Sequence, residues 1–171
     1  MTFSADARIA EMRSVLSLML RHLGTQRICT TYFDATQQPF NGFLATTWLE
    51  LTELHYIAPL FGRGPNYKLT NRGYVKALTE IGVLSSPQFK SDLGKLAATL
   101  KDSIKGRIQP APLSVQTILN ISGLDDGFVY NTIECNLLET ILGMHGAHWV
   151  SKFEGVIVMV PITFGQQKVV F

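Results

Sequence analysis

Apolar residues along the chain change their repeat several times, and each change marks an element. Ile9, Met12, Val15, Leu16, Met19, Leu20 and Leu23 fall on one stripe of a helix, with Ser4 or Asp6 where a cap would stand and Gly24 as its stop. Periodicity is poor from Thr25 to Asn41, where Pro39, Asn41 and Gly42 mark a loop and a short helix over Thr31 to Thr36 is the most the pattern offers. Between Phe43 and Tyr56, Leu44, Trp48, Leu51 and His55 share one sector at helical spacing, which predicts a second helix and a core position for His55. Tyr56 to Leu60 then reads as a strand, Gly62 to Asn66 as a turn and Tyr67 to Leu69 as the returning strand. Thr70 caps a helix carrying Tyr74, Val75, Leu78 and Ile81.

The residues Gly82 to Pro87 break this order and read as a linker. Beyond it, Phe89, Leu93, Leu96, Ala97, Leu100 and Ile104 make the stripe of another helix, ended by Pro110 and Pro112. From Ser114 to Leu142 the spacing predicts two helices joined at Ser122-Gly123, with Val129, Ile133, Leu137 and Leu138 on the buried side of the second. His148 to Lys152 and Val156 to Thr163 read as strands joined at Phe153-Glu154-Gly155. The second is apolar on both faces, so it is either covered on both sides or joined to a further strand, from Lys168 to Phe171, or to a dimer edge.

Composition narrows the picture less than periodicity. Charged residues make up only 16% against 46% hydrophobic, which argues for a fully folded chain with apolar surface to spare for a partner. A net charge of +2 is too small to argue for a polyanionic ligand by itself. Cys29 and Cys135 form no CxxC pair, which fits buried thiols in a reducing cytoplasm. No apolar run approaches the length of a membrane span, so no membrane partner is expected.

The run Tyr67-Lys68-Leu69-Thr70, followed by Gly73 and Leu78, resembles the strand-and-cap ending of winged-helix domains, in which the preceding hairpin is the wing. Gly123, Leu124 and Val129 stand where a helix-turn-helix places its turn glycine and flanking hydrophobes, and a hairpin follows there too. The chain therefore resembles a tandem winged-helix protein: mostly α with small antiparallel β-hairpins (α+β), one domain over residues 1 to 84 and another over 87 to 171. That resemblance implies Arg63 at a wing tip, where it can reach a minor groove or a phosphate, with Lys68, Arg72 and Lys76 near the wing base. Lys90, Lys101 and Lys105 form a further basic edge, which also reads as a solvated helix face.

The second helix-turn-helix has the wrong chemistry for a DNA reader. Its groove-facing positions would be Asp125, Asp126, Gly127, Tyr130, Asn131 and Glu134, with no cation among them. Asp125 and Asp126 read as helix caps, and Tyr130, Asn131 and Glu134 as a protein-binding face. His145 and His148, with Cys135, Glu134 and Glu139 upstream, lack the spacing of a helical zinc pair, so no metal site is expected. No phosphate loop and no nucleophile with a base can be assembled, so neither a cofactor nor catalysis is expected. Two functions remain: a DNA-associated regulator or accessory factor acting on double-stranded DNA, and a protein-interaction adaptor or homodimeric scaffold.

Overall fold

The computed structural model describes residues 4–107, 109, 111–151 and 155–159. The chain divides into two compact units, Met1–Ser86 and Pro87–Phe171, each of which, among the described residues, is mostly helical with one small antiparallel sheet.

The first unit runs α1 (Ala5–Leu23), β1 (Phe33–Asp34), α2 (Ala45–Glu53), β2 (Ile57–Pro59), β3 (Asn66–Leu69) and α3 (Asn71–Glu80). Ser4 caps α1, its hydroxyl accepting from the Ala7 N–H at 3.3 Å, and Gly24 ends the helix at φ 55. The stripe buries Val15, Leu16, Met19 and Leu23, whereas Ile9 remains exposed near the helix start. At the start of α2 stands Leu44, whose side chain cannot cap. The Glu11 carboxylate of α1 accepts the Leu44 N–H at 2.8 Å, so one helix caps the next.

Two expectations fail here for local reasons. His55 is exposed at φ 58, because α2 stops at Glu53 and the chain must turn before β2. Thr31 to Thr36 hold no helix; Phe33-Asp34 pair antiparallel with Tyr67 and Asn66 as the edge of the sheet, whose order is β1-β3-β2. Trp48 stacks on Tyr67 at 4.9 Å between centroids and meets Phe40 edge-on at 6.1 Å, joining α2 to the central strand β3.

The seam between hairpin and α3 is closer still. Thr70 caps α3, accepting from the Gly73 N–H at 3.0 Å, and its hydroxyl lies 2.6 Å from the His55 carbonyl and 3.1 Å from that of Tyr56. A Cβ at Gly73 would stand 1.7 Å from the Tyr56 carbonyl oxygen, so only glycine lets the helix start against β2.

The second unit runs α4 (Pro87–Ser103), β4 (Ala111–Ser114), α5 (Val115–Ser122), α6 (Asp126–Glu134), α7 (Leu137–Leu142), β5 (Ala147–Ser151) and β6 (Val156–Met159). Pro87 opens α4, where its missing N–H costs nothing, and Phe89, Leu93, Leu96, Ala97 and Leu100 are buried along it. Gly123, at φ 69, makes the turn between α5 and α6. The single helix expected through Leu142 is instead two, because Asn136 turns into the left-handed region at φ 56.

The sheet order here is β4-β6-β5. The apolar strand β6 is thus bonded along both edges, by β5 and by β4, the four residues in which Pro112 was expected only to end a helix. That removes the reason for invoking a dimer edge; Lys168 to Phe171 lie outside the described residues. Among the described residues no helix is long and apolar enough to cross a membrane.

Candidate nucleic-acid interface

From Leu54 to Thr79 the chain carries Arg63, Lys68, Arg72 and Lys76 and no acidic residue. The hairpin β2–β3 and the first turn of α3 position three of these cations at its tip, middle and base. Ile57, Ala58 and Pro59 pair with Leu69, Lys68 and Tyr67, so the ladder is short and Leu60 to Pro65 project beyond it. Tyr67 stacks on Trp48 and Leu69 is buried, which turns Lys68 to the opposite face of the sheet, beside Ala58. Arg63 is exposed at the tip, and neither it nor Lys68 is ion-paired among the described residues. Arg72 is exposed, with its guanidinium carbon 5.2 Å from the centre of the Tyr56 ring.

Lys76 belongs elsewhere. It pairs with Glu80 one turn along α3, and the same carboxylate accepts Arg13 of α1 at 2.7 Å. The hydrogen bond from Lys76, together with the two positive charges, holds the Glu80 carboxyl below its usual range. This trio joins α1 to α3 and leaves Lys76 neutralised as a phosphate contact. The nearest acid to the hairpin in the sheet is Asp34, paired with Asn66 and held below the usual carboxylate range by the hydroxyl and then the N–H of Thr36.

The tip holds a residue that sequence reading passed over. Phe61 is 91% exposed and sits in the left-handed region at φ 53, ψ 30, within the tight turn Leu60–Gly62. A bulky side chain in that conformation costs on the order of 1–2 kcal/mol. Phe61 and Arg63 line a shallow concavity of about 360 Å³ with Leu60, Gly64, Pro65 and Asn66. The usable signal was an aromatic next to a Gly/Pro turn in a stretch without acids.

In the second unit, Lys90 and Lys101 lie exposed on α4, whereas Lys105 lies beyond its end at Ser103 and so leaves the helical edge expected of the three. The expected partner face is mostly covered within its own unit. Tyr130 and Asn131 are both 3% exposed and Glu134 is half-buried, because α5 and α7 pack on α6 together with β5. Phe89 of α4 also meets Phe128 edge-on at 5.6 Å. A helix enclosed in this way exposes Asp125 at its N-cap and only parts of Asp126, Phe128 and Glu134. Asp125 does occupy the N-cap position, but its side chain makes no capping hydrogen bond.

Among the described residues no three His, Cys, Asp or Glu side chains gather as metal ligands. His145 instead contacts Glu139 through Nδ1 at 3.0 Å. Cys29 is exposed, against expectation, while burial, with a smaller push from the Glu134 charge, raises the Cys135 thiol to about 12. Iodoacetamide at neutral pH is therefore expected to label Cys29 alone, with Cys135 reacting only after denaturation. Peptide mass mapping checks this, and equal labelling of the native chain would refute the shielding of the half-buried Cys135 thiol.

No family model, curated protein or solved structure matches the chain.

Proposed function

We propose that the chain is a non-catalytic, DNA-associated protein of two winged-helix units, which meets double-stranded DNA through the hairpin of its first unit. The observation that carries this reading is the acid-free stretch from Leu54 to Thr79, which places Arg63, Lys68 and Arg72 along one hairpin and its base. Support for the fold assignment comes from what the units share: a long helix, an edge strand, a helical segment of one helix in the first unit and three in the second, then a hairpin whose second strand lies in the middle of the sheet. The hairpin stands where such domains carry a wing. Phosphate contacts need only positive charge on an accessible surface, which the hairpin supplies.

The helices that would enter a major groove supply no such charge. The solvent side of α2 carries Thr46, Leu49 and Glu53, and α6 is enclosed. Binding through the hairpin alone would be dominated by backbone contacts and indifferent to base sequence. A mobility shift with mixed-sequence duplex at low salt tests this. About three released counterions give a log–log salt slope near −3, and the double variant Arg63→Ala, Lys68→Ala should remove about two of those units. Absence of a shift at low salt would overturn the reading.

One observation favours the adaptor reading instead. Leu49 is 58% exposed on α2, with Leu44 and Leu54 also exposed at the helix ends, an apolar surface without an internal role. If the chain fails to shift DNA and Leu49→Arg abolishes capture of a partner, the adaptor reading stands.

A further inference from the structure

We infer that Phe61 is a base-stacking residue, whose ring inserts at an opened base step of the duplex while Arg63 neutralises the adjoining phosphate. This rests on the DNA reading above and adds to it a residue that touches the bases. The ring is 91% exposed, so almost none of its surface packs against the fold, and the left-handed backbone at φ 53 is one that a bulky residue adopts at a cost. An apolar ring at a projecting tip, held in a strained turn, has no structural work that a glycine would not do better.

The surroundings select the partner. Arg63 lies two residues on with no ion pair among the described residues, the stretch around it holds no carboxylate, and Gly64 and Pro65 keep the tip slim. A protein surface would be matched equally well by an apolar tip alone; a ring and a guanidinium two residues apart at one tip fit a base beside its phosphate. Apolar wedges flanked by cations unstack base steps from the minor groove, most easily at flexible pyrimidine–purine steps. A single strand offers the same stacking chemistry without the cost of opening a step.

The test uses the full chain with duplexes carrying 2-aminopurine at a TA step, and the matching single strand. Phe61→Ala removes almost no packing and, because alanine keeps a Cβ, leaves the backbone cost of the turn as it was, so it keeps the fold, which circular dichroism verifies. Binding by the wild type is expected to brighten 2-aminopurine in the duplex. Phe61→Ala should bind about ten-fold more weakly with no brightening, and Phe61→Trp should restore both. Tighter binding of the single strand, with a Phe61-dependent fluorescence change, would keep the stacking role and assign it to unpaired bases. If Phe61→Ala matches the wild type in affinity and fluorescence, stacking is overturned while hairpin binding survives. If no DNA shifts at low salt, both fall together.

Discussion

Gly73→Ala is expected to destabilise the first unit by about 3 kcal/mol or more, well above the common effect of a point substitution. The sign is what makes this informative. In a helix, alanine normally gains up to ~1 kcal/mol over glycine because it loses less backbone freedom on folding. At Gly73 the added Cβ would stand 1.7 Å from the Tyr56 carbonyl oxygen, 2.6 Å from its carbonyl carbon and 3.0 Å from its Cα. All three are backbone atoms, so no side chain can swing aside. The start of α3 would have to move, and with it the Thr70 cap and the bond from the Thr70 N–H to the Tyr56 carbonyl at 3.1 Å. Gly94, inside α4 with open space where a Cβ would go, is the control, and Gly94→Ala should gain up to ~1 kcal/mol. Urea denaturation followed by far-ultraviolet circular dichroism reads both. A Gly73→Ala chain as stable as the wild type would show that helix and hairpin do not meet as closely as described.

Trp48→Ala should cost about 3–5 kcal/mol, the range for removing a large aromatic from a core. Trp48 is 4% exposed and contacts both Phe40 and Tyr67, so its loss leaves a void under the strand that carries Lys68. Trp48→Phe separates packing from polarity. The indole N–H is buried with no hydrogen-bond partner among the described residues, so phenylalanine keeps a ring against Tyr67 and discards a costly orphan donor. The loss should then be on the order of 1 kcal/mol. Equal destabilisation by both substitutions would mean that the indole N–H has a partner after all. Both variants are read by the same denaturation, since removing a tryptophan alters fluorescence on its own.

What could be read from the chain was local. The stripe of α1, the Ser4 and Thr70 caps, the β2–β3 hairpin and the turn at Gly123 each follow from a few neighbouring residues. What could not be read depended on distant pairing. Phe33-Asp34 and Ala111–Ser114 are too short to show alternation, and become strands only because β3 and β6 lie beside them. For α6, the apolar stripe located one buried side. The burial of Tyr130, Asn131 and Thr132 comes from α7 and β5, whose positions no spacing within α6 encodes. The same division holds at the candidate interface. The cations Arg63, Lys68 and Arg72 were found because charge is visible in sequence. The pairing of Lys76 with Glu80 and the exposure of Phe61 required the fold.

The strand order has a consequence for how the chain comes to be folded. In both sheets the middle position belongs to the strand made last, β3 after β1 and β2, and β6 after β4 and β5. Until that strand leaves the ribosome, the two flanking strands have nothing to bond to and the helices hold an unclosed half. Ala111–Ser114 must wait for Val156–Met159, with three helices formed in between. Such non-local closure slows folding, because chain entropy is lost before the contacts repay it. The first unit, by contrast, completes its sheet at Leu69 and needs only α3 to follow. Synthesis from the N-terminus would therefore release the cationic hairpin, finished and seated, while the second sheet still lacks its centre.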